Sequence, residues 1–316
     1  MNVLLTGATG FVGQHLAFIF ESISDFNLTS VVRSDVASVH GARVVISEID
    51  GDTDWLSLLM DKDLIVHTAA RAHVMKDEGS DSLEEYRRVN VDGTLSLARQ
   101  AALASVKRFI FISSIKVNGE QTSSGRPFTA DDRPAPEDAY GISKLEAEQG
   151  LLQIAEETGL EVVIIRPPLV YGPRVKGNFF GMIKVVKKRL PLPLGAIHNR
   201  RSLVSVDNLG DLVVKCTSHP EAANQVFLAG DGCDLSTTEL LRGVAKAAGV
   251  SACLIPIPAP ILMFMASLLG KRTVAQRLLG SLQVDISKAR DLLGWTPPLS
   301  VEEGLRRCFI ENTGRY

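Results

Sequence analysis

Short apolar runs rich in β-branched residues recur through the first half of the chain and alternate with longer segments of helical composition. The apolar runs are VLLT, LTSVVR, ARVVIS, DLIVHTA, RFIFISS and EVVIIRP, which begin at residues 3, 28, 42, 63, 108 and 161. Segments such as QHLAFIFESI and TDWLSLLM lie between them. Unbroken apolar strands that alternate with helices predict a parallel sheet covered by helices on both faces.

The alternation of strands and helices changes after Pro173. The stretch PRVKGNFFGMIKVVKKRLPLPLG is followed by a strand-like RRSLVSV and by the proline-rich LIPIPAP. We therefore predict an α/β fold with a Rossmann-like, doubly wound parallel sheet over residues 1–172. Residues 173–316 are expected to form a smaller C-terminal α/β lobe that binds substrate and is partly interleaved with the sheet.

Composition and charge disfavour several classes of protein. The chain has 316 residues, of which 45% are hydrophobic and 22% charged, so it is expected to be globular. A net charge of -2 and a pI near 6.3 argue against nucleic acid or an anionic membrane as a partner. The cysteines show no CxxC pair and no metal-ligand spacing, so we expect reduced thiols and no metal site.

Two apolar segments bear on location. The opening MNVLLTGATG lacks a basic region and is typical of a strand rather than a signal peptide, so a cytoplasmic protein is expected. PILMFMASLLG, residues 260–270, is shorter than the ~20 residues that a membrane span needs. We expect a buried or interfacial helix there, and a peripheral contact with a membrane or partner is the less favoured alternative.

A glycine-rich loop, TGATGFVG at residues 6–13, directly follows the first predicted strand and opens a helix. Gly7 suits a tight turn, Gly10 lets backbone N–H groups approach a diphosphate, and Gly13 lets helix and strand pack closely. The motif alone is a weak signal, and a purely structural turn is the alternative. Its position between a strand and a helix predicts a dinucleotide site.

A second motif, AYGISK, pairs a tyrosine with a lysine four residues later. Tyr140 and Lys144 would share one helix face, so the ammonium is expected to lower the pKa of the phenol from about 10 toward neutrality. Such a phenol can exchange a proton with a hydroxyl or carbonyl group. The same spacing also occurs on ordinary surface helices. The strand FIFISS favours the catalytic interpretation, because α/β sheets bind ligands where their strands end.

Further motifs extend over nearly the whole chain. They are TGATGFVG (6–13), VHTAA (66–70), VNVDGT (89–94), ISSIKVNG (112–119), YGISK (140–144), RPPLVYGP (166–173), RRSLVSVDNLGD (200–211) and DISKARDLLGW (285–295). Together they resemble the extended branch of the short-chain dehydrogenase/reductase superfamily, which contains nucleotide-sugar epimerases, dehydratases and ketoreductases. The resemblance implies a nicotinamide dinucleotide as cofactor and a sugar nucleotide, UDP-linked, as substrate.

The resemblance also implies roles for individual residues. Ser114 would orient the substrate carbonyl beside Tyr140 and Lys144, with Ser113 as the less favoured serine. Asn90 would hold a helix open for a proton-relay water, and a capping or core amide is the alternative. The implied cofactor contacts are Gly7, Thr9, Gly10, Phe11, Val12, Gly13, Arg33, Ser34, Thr68, Ala69, Ala70, Tyr140, Lys144 and Pro167. The implied substrate contacts are Ser114, Tyr140, Asn178, Phe179 and Arg201.

On the substrate side, Arg201 would bind the diphosphate through its planar guanidinium, and Arg200 is the less favoured neighbour. Leu169 departs from the family pattern, because many relatives have asparagine near the phosphates at this position. Part of the substrate contact at that position must therefore be lost or supplied by other residues.

The end of the second predicted strand bears on the choice between NADP and NAD. An acid there would bind the adenosine ribose hydroxyls and select NAD, but this chain has Arg33 and Ser34. A cation and a hydroxyl favour the 2′-phosphate of NADP. In the alternative, Arg33 stacks on adenine or faces solvent and Asp35 reaches the ribose, which would favour NAD.

The resemblance, together with the predicted preference for NADP, favours an NADPH-dependent C4 ketoreductase that acts on a UDP-4-keto-6-deoxy-N-acetylhexosamine in bacterial polysaccharide synthesis. The alternative is an NAD-dependent UDP-hexose or UDP-N-acetylhexosamine 4-epimerase, which returns the hydride to the other face of C4. A remote third possibility is a non-catalytic NADP-binding regulator, although such proteins usually lack the tyrosine or the lysine. The resemblance also implies a homodimer that pairs the helices around residues 82–104 and 140–158.

Overall fold

The computed structural model describes residues 1–34, 39–72, 82–123 and 125–310. The strands are β1 (Asn2–Thr6), β2 (Asn27–Val32), β3 (Ala42–Val45), β4 (Leu64–His67), β5 (Arg108–Ile112), β6 (Glu161–Arg166), β7 (Leu169–Tyr171), β8 (Leu203–Ser205) and β9 (Gln225–Leu228). The helices are α1 (Phe11–Ser22), α2 (Leu56–Leu59), α3 (Ser82–Arg87), α4 (Gly93–Leu103), α5 (Ala139–Thr158), α6 (Gly177–Lys187), α7 (Val206–Ser218), α8 (Thr237–Ala247), α9 (Ala259–Leu268), α10 (Arg272–Leu279), α11 (Ser287–Leu293) and α12 (Val301–Arg307).

The main sheet has the strand order β3-β2-β1-β4-β5-β6-β9, and its neighbouring strands are all parallel. On either side of β1, Val3 aligns with Leu28 of β2 and with Leu64 of β4. The six strands predicted from the apolar runs are present, which confirms the doubly wound α/β fold. β9, which comes from beyond residue 172, forms the outer strand next to β6.

Alternate side chains of the sheet enter two separate hydrophobic layers. Leu5 packs in the layer that contains Leu16 of α1, whereas the adjacent Leu4 packs with Leu97 of α4 and Leu151 of α5. Burial of one such leucine stabilises the fold by about 1.5–3 kcal/mol. Because helices cover both faces of the inner strands, these strands have no polar side, and this explains their continuous apolar sequences.

A buried polar contact fixes the end of β1 to β4 and α4. The Nδ1 atom of His67 lies 2.6 Å from the Thr6 hydroxyl, and its Nε2 atom lies 3.0 Å from the Thr94 hydroxyl. Burial, assisted by the charge of Lys144, lowers the pKa of His67 to about 3. The imidazole is therefore neutral at pH 7 and can donate at one nitrogen while it accepts at the other.

A smaller parallel pair, β7 and β8, belongs to a third hydrophobic cluster in the C-terminal part of the chain. Tyr171 of β7 is fully buried there. Its ring stacks on Phe179 of α6 at 5.4 Å between centroids, and its hydroxyl donates to the Asp231 carboxylate at 2.7 Å. Leu241 of α8 and Leu305 of α12 complete this core. The cluster joins the C-terminal helices to the pair β7 and β8.

The pair of helices α9 and α10 lies at the surface of this C-terminal part. α9 covers most of PILMFMASLLG, and none of its residues is buried. The prediction of a buried helix at residues 260–270 is wrong. α9 packs chiefly on α10, and its other face is left in water. Within the described ranges, every helix is too short or too polar to cross a membrane.

Candidate active site

The predicted motifs come together at the carboxyl edge of the main sheet. Gly7 follows β1, Thr68 follows β4, Ser113 follows β5 and Pro167 follows β6. The strand order reverses between β1 and β4, and doubly wound sheets open a ligand crevice at such a point. The topology alone therefore places the glycine loop and the two serines on one side of the molecule.

Two glycines of the glycine loop lie where a side chain would collide with the backbone packed against them. Gly7 has φ +72°, and a Cβ atom on it would lie 2.6 Å from the backbone nitrogen of Ala69. A Cβ atom on Gly13 would lie 2.1 Å from the carbonyl oxygen of Gly7. In the described chain no side chain caps α1 at Gly10, and the first turn of α1 contains no acid. An uncapped helix N-terminus against bare backbone fits the diphosphate of a dinucleotide.

Several other predicted cofactor residues line the same edge. The Thr68 hydroxyl donates to the Thr6 carbonyl at 2.7 Å, and this contact holds the segment after β4 against the loop. Pro167 is buried, and its carbonyl accepts from the backbone N–H of Ile115 at 3.0 Å. Five further members of the predicted set are half-buried, namely Thr9, Phe11, Val12, Ala69 and Ala70.

Arg33 and Ser34 directly follow β2, the strand beside β1, and both are exposed. Their position agrees with the adenosine end of a dinucleotide that begins at the glycine loop. Asp35, the alternative partner for the ribose, lies outside the described residues.

Tyr140 occupies the first turn of α5. Asp138 caps this helix, because its Oδ1 accepts from the backbone N–H of Gly141 at 2.7 Å. The ammonium of Lys116 donates to the same carboxylate and so joins the helix to the segment after β5. The ring of Tyr86 meets Tyr140 edge-on, with 6.1 Å between centroids. These contacts fix a half-buried phenol at the carboxyl edge of the sheet.

Lys144 is 1% exposed and lies one turn further along α5. Its Nζ donates to the carbonyl oxygen of Ile112 at 2.9 Å and lies 4.3 Å from the centroid of the Phe111 ring. Burial lowers the pKa of Lys144 to about 7, although the carboxylate of Glu148 opposes the shift. The charge of this lysine is therefore sensitive to any ligand placed beside it.

The pKa of Tyr140 is raised in this structure, whereas the sequence predicts a lowered value. Burial raises it most, and the carboxylate of Asp138 adds to the effect. The ammonium of Lys144 hydrogen-bonds to Ile112 and is itself weakened by burial, so it does not offset these two effects. Tyr140 is therefore a protonated donor at neutral pH.

The two serines after β5 have different surroundings. Ser114 is half-buried and caps a short 3₁₀ helix, Ile115–Val117, by accepting from the backbone N–H of Lys116 at 3.3 Å. Ser113 is buried, and its hydroxyl donates to the carboxylate of Glu148. Ser114 is thus the more accessible of the two serines.

A buried ionic network beneath the site is absent from the sequence-based predictions. Glu148 of α5 accepts from the Arg166 guanidinium at 3.0, 3.1 and 2.5 Å, and both residues are buried. The same guanidinium donates to Asn118 at 3.0 Å. Two signals in the sequence could have indicated it: an arginine that ends an apolar strand, and a glutamate four residues after Lys144 on one helix face.

Asn90 lies inside a π-helical turn, Arg88–Asp92, between α3 and α4. Its side-chain oxygen accepts from the backbone N–H of Arg71 at 2.8 Å, and its amide donates to the Ser143 hydroxyl at 3.0 Å. The widened turn agrees with the predicted opening of a helix at this residue. The contact to Ser143 connects it to α5 between Tyr140 and Lys144.

The predicted substrate residues differ in how accessible they are to a ligand. Asn178 is exposed at the start of α6, but the side chain of Phe179 is buried against Tyr171, so a substrate could meet only its backbone. Arg201 is half-buried, and its Nη1 donates to the carbonyl oxygens of Arg277 and Gly280 at 2.9 and 3.1 Å. Arg200 and Leu169 are both exposed.

Comparison with known proteins identifies the family. A family model described as "NAD dependent epimerase/dehydratase family" matches residues 3–230. The chain belongs to the NAD-dependent epimerase/dehydratase family. The curated UDP-glucose 4-epimerase of Vibrio cholerae is 48% identical over 318 residues, which cover 99% of this chain and 97% of that protein.

Solved structures of similar fold include two Bacillus cereus enzymes. UDP-N-acetylglucosamine 4-epimerase superposes with a TM-score of 0.79 at 20% identity over 97% of each chain. UDP-glucuronic acid 4-epimerase in complex with UDP-glucuronic acid and NAD gives 0.78 at 24% identity over 98% of each chain. At 20% and 24% identity these superpositions establish the fold alone, and they do so over nearly the full chain.

Membership of the NAD-dependent epimerase/dehydratase family confirms the resemblance drawn from the motifs. The protein is an enzyme of nucleotide-sugar chemistry, so the non-catalytic alternative is not supported.

Proposed function

We propose that this protein is an NAD-dependent 4-epimerase of UDP-hexoses or UDP-N-acetylhexosamines. The observation that carries the proposal is the 48% identity to a UDP-glucose 4-epimerase over nearly the whole of both chains. The presence of Ser114, Tyr140 and Lys144 at one edge of the sheet supports it. From the sequence alone the C4 ketoreductase ranks first, but the comparisons favour its alternative, the epimerase.

The residues of this chain would provide proton transfer at C4 of the sugar. NAD, when bound, would supply a reversible acceptor for the hydride at C4. In its phenolate form, which the Lys144 ammonium would stabilise, Tyr140 would take the hydroxyl proton as C4 is oxidised and give that same proton back as the keto group is reduced. Ser114 hydrogen-bonds to the same oxygen and holds it in place.

Lys144 is proposed to make this proton transfer possible at neutral pH. Tyr140 and Lys144 share one face of α5 through their spacing of four residues. Because the pKa of Lys144 lies at about 7, negative charge on the neighbouring phenol would favour the ammonium form of the lysine. The ammonium in turn stabilises the phenolate, and the two groups titrate as a coupled pair.

The glycine loop, Gly7 to Gly13, would hold the diphosphate of NAD at the start of α1. Arg33 and Ser34 are exposed, so adenosine can bind beside them without displacing a buried contact. On the substrate side, Asn178 and Arg201 remain the proposed contacts for the nucleotide, with the guanidinium of Arg201 already oriented by two backbone carbonyls.

The nucleotide that co-purifies with the protein distinguishes the two reactions. An epimerase regenerates its cofactor within each turnover, whereas a ketoreductase needs a fresh reduced cofactor. Denaturation of the purified protein followed by chromatography and mass spectrometry should release NAD at close to one per chain. A protein that releases no nucleotide and takes up NADPH would contradict the epimerase and support the ketoreductase.

A further inference from the structure

The helices α9 and α10 and the turn between them, residues 259–279, form a surface that we call the apolar hairpin. Large apolar side chains of this hairpin are 42% to 72% exposed, although such residues are normally buried. They are Ile261, Phe264, Met265, Leu268, Leu269, Val274 and Leu278. The first four follow a spacing of three, one and three residues and therefore line a single face of α9.

The charge within the apolar hairpin is of one sign. Residues 240–284 contain no aspartate or glutamate, whereas about five would be expected at the average frequency of the chain. The same stretch carries five basic residues, and three of them, Lys271, Arg272 and Arg277, are exposed within the hairpin itself. The hairpin therefore combines a continuous apolar face with cations and no anions.

A second acid-free segment lies against the first. Residues 162–206 contain nine lysines and arginines and no acid. Leu192 pairs with Leu254 and Ala196 pairs with Pro258, just before α9 begins. The whole-chain charge of -2 hides this separation of charge, because the acids are concentrated in the rest of the chain. The argument from net charge against an anionic surface therefore does not apply to this face.

The apolar hairpin is held firmly at its base. The carbonyl oxygen of Gly280, just after α10, accepts from the Asn199 amide at 2.8 Å, and that of Leu278 accepts from the Thr237 hydroxyl at 2.5 Å. Arg201 donates to the carbonyl oxygen of Arg277 at 2.9 Å. The exposed apolar face is thus fixed in position by polar contacts on its inner side.

The apolar hairpin also lies beside the candidate active site. Asp138 caps α5 two residues before Tyr140, and its pKa is lowered, against the effect of burial, mainly by the hydrogen bond from Lys116 and to a smaller extent by the charge of Arg277. Arg201, the proposed diphosphate ligand, contacts the end of α10 directly. A surface that binds the hairpin would therefore come close to Arg201 and to the start of α5.

We propose that the apolar hairpin docks on an anionic phospholipid bilayer. α9 would lie in the plane of the interface with its apolar face among the acyl chains, and Lys271, Arg272 and Arg277 would contact lipid phosphates. At ten residues α9 is about 15 Å long, which suits an interfacial helix and is too short for a span. A second copy of the chain is a poorer fit, because a symmetric contact would bring the same cations together.

Flotation of the full-length protein with lipid vesicles tests this proposal. We expect the protein to float with vesicles of phosphatidylcholine mixed with phosphatidylglycerol, and at least about tenfold less with phosphatidylcholine alone or at high salt. The double variant Phe264→Gln/Leu268→Gln should lose binding to every vesicle. The variant Lys271→Glu/Arg272→Glu should lose the preference for anionic lipid. Equal binding of all variants would overturn the proposal.

Met60→Gln is the matched control. Met60 is a similarly exposed apolar residue, but it directly follows α2 and is distant in sequence from the hairpin. It should float like wild type. All variants should keep the wild-type melting temperature, since the substituted side chains face water. If wild type fails to float with any vesicle, or if Phe264→Gln/Leu268→Gln instead halves the mass in light scattering, the hairpin is not a membrane surface and the proposal is wrong.

Discussion

Substitution of Glu148 by glutamine tests the buried network beneath the candidate site. The carboxylate of Glu148, which is 2% exposed, receives the N–H groups of Arg166 and the hydroxyl of Ser113. Glutamine keeps the shape but removes the charge, so the Arg166 guanidinium would stay buried without a counter-ion. Loss of one partner of a buried ion pair costs about 3–5 kcal/mol, and the free energy of unfolding should fall by that amount.

The same substitution should change the pH dependence of turnover. The charge of Glu148 raises the pKa of Lys144 and so opposes burial, which lowers that pKa to about 7. Without the carboxylate, the lost attraction and the repulsion by the unpaired Arg166 both lower the pKa of Lys144 further. If turnover needs the ammonium, the alkaline limb of the rate profile moves to lower pH, and activity falls more above neutrality than below it.

Urea unfolding followed by circular dichroism measures the first effect, and initial rates with a UDP-sugar across pH measure the second. Glu156→Gln, an exposed acid on the same helix, is the matched control and should change stability by less than about 0.5 kcal/mol. The double variant Glu148→Met/Arg166→Met should recover much of the lost stability. Wild-type stability of Glu148→Gln would refute the energetic argument, and an unchanged pH profile would refute the influence on Lys144.

Four further predictions concern the chemistry, the cofactor and the assembly. Tyr140→Phe should reduce kcat by about 10²–10⁴-fold while bound NAD stays within a few-fold of wild type, and near-normal turnover would exclude Tyr140 as the proton carrier. Gly13→Ala should purify without nucleotide, because its Cβ would lie 2.1 Å from a carbonyl oxygen; full NAD content would contradict this. Arg33→Asp should leave bound NAD unchanged, whereas an enzyme that used NADP would lose about tenfold to a hundredfold in preference. Light scattering at micromolar concentration should give twice the monomer mass of 34.2 kDa, and a monomer would rule out the expected homodimer.

A strand was predictable from sequence where its own segment shows a continuous apolar run. β1, β2 and β4 to β6 read as continuous apolar runs because parallel strands covered on both faces need no polar side. β9, with only four residues, QVFL, carries too little pattern to be assigned to the sheet from sequence. Its place beside β6 depends on contacts between distant parts of the chain.

In the candidate site, too, the features carried by adjacent residues were predictable and those formed by distant residues were not. The glycine loop was predictable because strand, turn and helix are adjacent in sequence. The pairing of Glu148 with Arg166, and the bond from Lys144 to Ile112, join residues that meet only after folding. The pKa of Tyr140 was predicted with the wrong sign for this reason, since helix spacing shows which groups share a face but not which contacts bury them. Likewise, the exposure of the apolar hairpin could be seen only from the way the helices pack.

The fate of hydrogen at C4 of the sugar tests the central claim most directly. The purified protein would be incubated, without added cofactor, with a UDP-hexose or UDP-N-acetylhexosamine that carries deuterium at C4, and the products followed by NMR. The proposed epimerase predicts both C4 epimers with the deuterium retained at C4 and no net change in absorbance from reduced nicotinamide. Absence of the second epimer, or conversion of only a 4-keto sugar with consumption of one NADPH per product, would contradict it.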